Sequence, residues 1–307
     1  MRKAFSSIME QCAADDERIV FITGDLGYNA LENLSSGMAQ RFINAGVAEQ
    51  NMIGVAAGMA YKGFKVFCYS IAPFIVYRCL EQFRNDVCLH NLPVFIVGNG
   101  GGYGYGIMGS THHALEDIGT LSGLQNVTCY VPAFTEEVDL AVQSMRAEMK
   151  PAYLRLGADV PLPTGAQPVD SHFRFCSVAE DPGITIVVMG PVVKNVFDGL
   201  EKIAGLGQAD VFTAFTFPIL QLSPALRNSI ERTKRLLVVE EHMPTGGLAQ
   251  QLSSILLGAG LQLEKFHSIH AAGYPDGTYG DPSFHQTQSG MSAVQIADTV
   301  VAMTGKK

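Results

Sequence analysis

A single carboxylate stands in an otherwise uncharged helical segment near the start of the chain. The segment reads NAGVAEQNMIGVAAGMAYKG, and Glu49 is its only charged residue before Lys62. Two interpretations are open. Glu49 either complements the helix dipole from a solvated position or is a buried carboxyl group that can bind a ligand nitrogen. Gly54 and Gly58 lie four residues apart and leave one side of the helix without bulk, which predicts the close approach of another group.

A glycine-rich loop with two histidines is the second candidate. The run GNGGGYGYGIMGSTHH follows a predicted strand, and Gly104, Gly106 and Gly109 match the G-x-G-x-x-G pattern of dinucleotide-binding folds. A nicotinamide site is not favoured, because the next strand does not end in an acidic residue. His112 and His113 follow the loop, where α/β sheets often bind ligands. Their spacing does not predict a metal site, and the sequence leaves their role open.

Aromatic residues form a third cluster, at a corner between a strand and a helix. Tyr69, Phe74, Tyr77 and Phe83 surround Pro73, and a proline is well placed in the first turn of a helix. Packing in the core is the simplest interpretation of these rings.

A fourth group of polar residues follows a later strand. Glu240, Glu241 and His242 precede the pair Gly246 and Gly247. A solvated strand end is the simplest interpretation of this group.

Short apolar strands alternate with helix-length segments through the first half of the chain. This alternation predicts a parallel sheet covered on both faces, since strands without polar alternation need cover on two sides. Thr135 is the expected N-cap of one helix. The predicted strands span 19–23, 65–70, 93–98, 127–131 and 152–156, and the predicted helices span 4–14, 46–62, 75–90, 112–122 and 135–149.

A second α/β unit follows a connector rich in proline and glycine. The connector reads GADVPLPTGAQ, a composition typical of a linker. We therefore predict a first domain over 1–157, a linker over 158–172 and a second domain over 173–307. The predicted strands of the second domain span 184–190, 211–216, 235–241 and about 263–269, with helices beginning at 191 and 247.

Composition excludes several classes of protein. Hydrophobic residues make up 47% of the 307 residues and charged residues 16%, which is far from the composition of a disordered chain. The net charge of −8 and the lack of a basic run argue against nucleic acid as a partner. No apolar run is long enough to span a membrane. The six cysteines lack any CxxC pair, which predicts buried, reduced thiols and a cytoplasmic protein.

Taken in order, these segments resemble the thiamine-diphosphate enzymes of the transketolase family. The likeness rests on GVAEQNMIGVAAGMA, on YS followed by the RCLEQ helix, on the glycine-rich loop with STHH, and on LQNVTCYVPAFTEEV. It continues through PAYLRL and VVEEHMPTGGLAQQL and so covers nearly the whole chain. The resemblance implies two mostly parallel α/β domains, a pyrimidine-binding domain and a transketolase C-terminal domain. Deoxyxylulose-phosphate synthases and the beta subunits of 2-oxo acid dehydrogenases share this part of the family's architecture.

The resemblance implies roles for four residues around the cofactor. Glu49 matches the family glutamate that hydrogen bonds to the aminopyrimidine ring, which helps the cofactor deprotonate its own thiazolium carbon. Phe74 resembles the aromatic residue that stacks on the pyrimidine, with Tyr69 as a second wall. Asp25 in ITGDLGY is similar to the aspartate of the transketolase SADL segment, near the cofactor.

His112 matches the family's active-site histidine, which contacts the substrate oxygen or the covalent adduct. Two departures bear on the substrate. Ile107 and Met108 replace an acidic pair that recognises a sugar hydroxyl, and Ala158 lies where the family has an arginine for the sugar phosphate. These departures weaken the expectation of an ordinary pentose-phosphate substrate.

One half of the family's cofactor site is missing from the sequence. The family binds Mg²⁺ and the diphosphate with an N-terminal GDG segment followed by asparagine, and the nearest match here, GDLG at 24–27, precedes a different element. The resemblance therefore implies the C-terminal subunit of a split enzyme, an α2β2 heterotetramer whose N-terminal partner supplies the Mg²⁺ ligands. Ketol transfer between sugars is the expected reaction. The alternative is the beta subunit of a 2-oxo acid dehydrogenase or decarboxylase acting on pyruvate-like donors.

Overall fold

The computed structural model describes residues 1–27, 29–177, 181–203 and 209–305. In these ranges the chain alternates strands and helices, as the sequence predicts. The strands are β1 (Ile19–Thr23), β2 (Phe42–Asn44), β3 (Lys65–Ile71), β4 (Val94–Asn99), β5 (Thr128–Tyr130), β6 (Ala152–Leu156), β7 (Gln167–Pro168), β8 (Phe173–Ser177), β9 (Ile184–Met189), β10 (Ala209–Ala214), β11 (Thr216–Phe217), β12 (Arg235–Glu240) and β13 (Lys265–His270).

The helices connect these strands and cover the sheets. They are α1 (Arg2–Asp15), α2 (Glu32–Met38), α3 (Glu49–Tyr61), α4 (Ala72–Tyr77), α5 (Leu80–Gln82), α6 (Asp117–Ser122), α7 (Glu137–Glu148), α8 (Val193–Lys202), α9 (Pro224–Thr233), α10 (Leu248–Gly258), α11 (Pro282–Gln288) and α12 (Ala293–Thr304).

The first sheet has the strand order β11-β5-β6-β4-β3-β1-β2. Its pairings are parallel except the one between β5 and the short β11. Every residue of β1 and β3 is buried, because helices cover both faces. One face contacts α1 and α7 through residues such as Phe5 and Val138. The other face contacts α3 and α4 through residues such as Ile53 and Ile75.

The second sheet has the order β13-β12-β9-β10-β8-β7. The pairings among β13, β12, β9 and β10 are parallel, and β8 and β7 add an antiparallel edge. A single apolar cluster runs from the first sheet into the second, since Val131 and Phe217 belong to the same cluster as Met189 and Val238. The prediction of an α/β fold with two mostly parallel sheets is therefore confirmed.

Several predicted details of the first domain are wrong. The N-cap of α7 is Glu136 rather than Thr135, and the Thr135 hydroxyl donates a hydrogen bond to Asp159 Oδ1 at 3.2 Å instead of capping the helix. The predicted helix over 75–90 is divided into α4, α5 and a π-helical turn over Phe83–Cys88.

The predicted linker also contains structure, since β7 pairs with β8. All six cysteines are buried and unpaired. No helix among the described residues is long and apolar enough to cross a membrane.

Candidate functional site

The candidate site lies at the carboxyl ends of two neighbouring strands in the first sheet. Strand β1 leads to β2 on one side of it, whereas β3 leads to β4 on the other side. The connections therefore diverge between β1 and β3, and open α/β sheets bind ligands in the crevice at such a switch point. Gly24 follows β1 and Ser70 lies near the end of β3, and both contact Glu49.

Glu49 is the first residue of α3 and is only 3% exposed. The Ser70 hydroxyl donates a hydrogen bond to its Oε1 at 3.0 Å, and Arg78 Nη1 pairs with its Oε2 at 3.1 Å. A Cβ on Gly24 would lie 3.4 Å from Oε1, so this glycine lies directly beside the carboxylate. The structure thus contradicts the solvated interpretation of Glu49.

Arg78 also covers the ring of Phe74. Its guanidinium carbon lies 3.9 Å from the centroid of that ring, which is the geometry of a cation–π contact. This role of Arg78 was not predicted from the sequence. Its only sequence signal is a position four residues after Phe74, one helical turn further along the chain.

His112 also contacts the ring of Phe74. The two ring centroids are 5.1 Å apart and the rings meet edge to face, while the Tyr105 ring lies 5.8 Å away from His112. Nδ1 of His112 hydrogen bonds with the Thr111 hydroxyl at 2.9 Å. The prediction that His112 begins a helix is wrong, because α6 begins at Asp117. His112 lies in the loop before α6, where its backbone N–H donates a hydrogen bond to the Gly109 carbonyl oxygen.

Asp25 follows Gly24 in a turn at the end of β1. It is exposed and has a φ of 60°, and Asn44 Nδ2 donates a hydrogen bond to its Oδ1 at 2.8 Å. Together with Thr23 and Asn44 it lines an open groove of about 350 Å³. The structure therefore brings Asp25 to the same sheet edge as Glu49, one residue beyond the glycine that contacts the carboxylate.

Tyr69 does not lie with Glu49, which corrects its assignment as a second wall of the site. Neighbouring residues of a strand point to opposite faces, and Ser70 is the residue that faces Glu49. The Tyr69 ring instead stacks on Phe5 of α1 at 6.2 Å and packs against Phe21. Burial raises the pKa of its hydroxyl group well above the ordinary value.

His113 belongs to the contact between the two domains rather than to the Glu49 site. Its Nε2 lies 2.8 Å from the Gly106 carbonyl oxygen and its Nδ1 lies 2.9 Å from the Tyr274 hydroxyl. Because a carbonyl oxygen can only accept, Nε2 carries the proton and Nδ1 accepts from the tyrosine. Burial lowers the pKa of this imidazole to about 4, which keeps the ring neutral.

The end of β12 is buried, so the interpretation of a solvated strand end is wrong. Glu240 accepts the Leu248 and Ala249 backbone N–H groups at 2.6 and 3.0 Å, at the start of α10. Burial raises the pKa of this carboxyl group to about 7. His242 Nε2 accepts the Gly119 N–H at 3.0 Å. The start of α10 thus lies against Glu240 and α6 lies against His242, which a single strand pattern could not reveal.

A buried ion pair joins β6 to the start of α6 in the first half of the chain. Arg155 Nε lies 2.9 Å from Asp117 Oδ2, and the Tyr153 hydroxyl donates to the same oxygen at 2.7 Å. Arg155 also donates to the backbone carbonyl oxygens of Ala114 and Glu241. This network was not predicted from the sequence, although an arginine inside the apolar strand AYLRL is a signal for a buried partner.

The residues around Glu49 fit the pyrimidine half of a thiamine cofactor. A buried carboxylate lies beside an aromatic face that carries a flat, cationic group, and glycine at position 24 leaves room beside the carboxylate. In the described part of the chain no three His, Cys, Asp or Glu side chains lie together in a metal-binding group. The side chains around Glu49 have the chemistry to bind the ring of the cofactor.

Comparison with known proteins agrees with this geometry. The family model "Transketolase, pyrimidine binding domain" matches residues 1–159. The chain is 30% identical to a subunit of the apulose-4-phosphate transketolase of Phocaeicola vulgatus over 80% of both chains. It is 29% identical to the protein of the same name from Actinobacillus succinogenes, over 86% of this chain and 85% of the relative.

Longer relatives and solved structures share the fold. A 1-deoxy-D-xylulose-5-phosphate synthase of Clostridium perfringens is 24% identical over 97% of this chain, which corresponds to 48% of its own length. A structure titled "Split gene transketolase, inactive beta4 tetramer" is 23% identical, with a TM-score of 0.82 over 100% of this chain and 98% of that one. Because the family model covers more than half of the chain and the apulose-4-phosphate relatives most of it, this protein belongs to the transketolase family.

Proposed function

We propose that this chain is the C-terminal subunit of a two-subunit, thiamine-diphosphate-dependent transketolase that transfers a two-carbon ketol unit between sugar-type substrates. The convergence of Glu49, Phe74 and His112 at the switch point of the first sheet carries this proposal. When bound, the cofactor supplies a carbon nucleophile that attacks the carbonyl group of the donor.

Glu49 and Phe74 would hold the pyrimidine ring. The Glu49 carboxyl group would bind a ring nitrogen through a hydrogen bond and exchange a proton at that atom, and Ser70 fixes its orientation. The Phe74 ring would stack on the pyrimidine. The helix body after Glu49 has no other charged residue before Lys62, so helix α3 itself adds no competing charge beside the carboxyl group. Asp25 remains a proposed cofactor contact at the same sheet edge.

His112 would act on the substrate. The Thr111 hydroxyl engages its Nδ1, so Nε2 is the nitrogen free to face a ligand. From there it would donate a hydrogen bond to the oxygen on which negative charge develops, which is an established way to lower a barrier. Because His112 contacts the Phe74 ring edge to face, the substrate would lie next to the pyrimidine.

A partner chain would complete the site. The names of the relatives support a split enzyme, since both apulose-4-phosphate proteins are named as one subunit of a transketolase. We propose that a transketolase-type N-terminal subunit holds the diphosphate and Mg²⁺ in an α2β2 heterotetramer. The six buried thiols suit a reducing compartment, so a cytoplasmic location is part of the proposal. A 2-oxo acid dehydrogenase beta subunit is the less favoured alternative.

Reconstitution with an N-terminal transketolase-type subunit from the same genome tests this function. A donor screen on the complex would compare xylulose 5-phosphate, fructose 6-phosphate, other ketoses and pyruvate. We expect turnover of a ketose, and turnover only when both subunits and thiamine diphosphate are present. Ketose turnover by this chain alone with the cofactor would refute the split enzyme, and use of pyruvate as the sole donor would favour the dehydrogenase alternative.

The donor screen also tests the two departures from the family pattern. Ile107 and Met108 are 75% and 54% exposed, so they present apolar surface where the family has an acidic pair. We expect weaker discrimination for xylulose 5-phosphate over other ketoses than an ordinary transketolase shows, unless the partner contributes the missing contacts. A strong preference for this substrate without a phosphate contact from the partner would contradict that expectation.

A further inference from the structure

The two groups proposed to bind the pyrimidine are already engaged by one side chain of the same chain. Arg78 Nη1 lies 3.1 Å from Glu49 Oε2, and its guanidinium carbon lies 3.9 Å from the centroid of Phe74. A ring that stacked on this face of Phe74 and bound the same carboxylate oxygen would overlap the guanidinium group. The present position of Arg78 and a bound pyrimidine are therefore mutually exclusive.

The guanidinium group resembles the edge of an aminopyrimidine. Both are flat, and both can place a nitrogen atom in hydrogen-bond distance of a carboxyl group while the plane stacks on an aromatic ring. In the described part of the chain Glu49 is the only acidic side chain that forms an ion pair with Arg78. Arg78 thus makes both contacts that the ligand would make, one with the Glu49 carboxylate and one with the Phe74 ring.

We propose that Arg78 occupies the pyrimidine subsite in the cofactor-free protein and leaves Glu49 and Phe74 when thiamine diphosphate binds. This inference rests on the proposed function. It assigns Arg78 as a positioning residue that keeps the buried carboxylate paired until the cofactor takes over that contact. Without such a partner, a charged carboxylate buried at this level would be costly.

Exposure shows which partner can move. The Arg78 side chain is 44% exposed, whereas the Glu49 side chain is 2% exposed. Arg78 lies between α4 and α5, so its side chain can turn into solvent without breaking a helix. Glu49 is held by Ser70 and closely approached by Gly24, and it has no comparable freedom. Exchange at this site therefore moves the arginine and leaves the carboxylate in place.

Substitution of Arg78 tests the exchange in the reconstituted complex. Arg78→Ala should lower the melting temperature of the cofactor-free complex but not that of the loaded complex, because the pair exists only in the free state. By the same linkage thiamine diphosphate should bind about tenfold more tightly, as measured by titration calorimetry. Arg84→Ala is the matched control: this arginine lies on the same segment, is exposed and hydrogen bonds with Asn85, so neither quantity should change.

A conservative variant covers the case in which Arg78→Ala does not fold. Arg78→Lys keeps the charge but loses the flat group, and we expect a tightening of about threefold. Weaker cofactor binding in either variant would overturn the proposal, because Arg78 would then hold the cofactor. An equal loss of melting temperature in the free and loaded states would also overturn it in favour of a permanent ion pair. If the wild-type complex bound no thiamine diphosphate, the proposed function would fail first.

Discussion

Phe74 and His112 meet edge to face with their ring centroids 5.1 Å apart, although they follow different strands of the first sheet. Phe74 lies on α4, which begins at the end of β3, and His112 lies in the loop after β4. Because β3 and β4 are parallel neighbours, their carboxyl ends meet at one edge and bring the two rings together. The proposed roles of both residues can therefore be tested separately.

Replacement of Glu49 should stop activation of the cofactor. In the reconstituted complex we expect Glu49→Gln to slow hydrogen–deuterium exchange at the thiazolium carbon about 10² to 10⁴-fold, because an amide cannot exchange a proton with the ring nitrogen. Nuclear magnetic resonance of the quenched cofactor measures this exchange. Glu81→Gln, an exposed carboxylate on α5, is the matched control and should exchange at the wild-type rate. Wild-type exchange in Glu49→Gln would remove this assignment.

Replacement of His112 should affect substrate chemistry more than cofactor binding. We expect His112→Ala to lower kcat/KM for the donor about 10² to 10³-fold, which is typical of the loss of one donor to a developing oxyanion. Between wild type and His112→Ala, the Kd of thiamine diphosphate should change less than about threefold. His90→Ala, an exposed histidine after the π-helical turn, should leave both values unchanged. A large loss of cofactor affinity in His112→Ala would instead assign this residue to the cofactor.

His113 should make the stability of the chain depend on pH. The pKa of its imidazole is lowered from 6.5 to about 4 by burial, so below pH 6.5 the unfolded chain takes up a proton that the folded chain does not. The free energy of unfolding should therefore fall as the pH decreases from 6.5 to 4, by at most about 3 kcal/mol from this residue. Urea unfolding of wild type and His113→Gln at several pH values isolates this contribution. Parallel pH profiles for the two proteins would contradict it.

The buried ion pair between Asp117 and Arg155 should contribute far more to stability than an exposed pair. Asp117 and Arg155 are 0% and 4% exposed, so Asp117→Ala leaves a buried, uncompensated charge and should cost about 3 to 5 kcal/mol. Asp198→Ala removes the partner of Lys194 on the surface of α8 and should cost less than about 1 kcal/mol. Chemical unfolding compares the two variants. Similar losses of unfolding free energy in both variants would show that the buried pair contributes no more to stability than the exposed pair.

The sequence by itself determined the central strands and the order of the elements, and it supplied Glu49 as a candidate site residue. Apolar runs separated by helix-length segments predicted nearly every central strand, because a strand covered on both faces must be apolar along its whole length. Glu49 was a candidate from the sequence alone, because it is the only carboxylate in an otherwise uncharged helix. Short edge strands such as β7 and β11 escaped prediction, since few residues leave no periodic pattern.

Only the tertiary structure decided which side chains meet. The alternation of side chains along β3 directs Ser70 to Glu49 and Tyr69 to Phe5, a choice that composition cannot make. The burial of His242 depends on its contact with Gly119 of α6, far away in the chain, so no local pattern could show it. Arg78 follows α4, the helix after α3, and its contact with Glu49 depends on how β3 places these two helices in the fold.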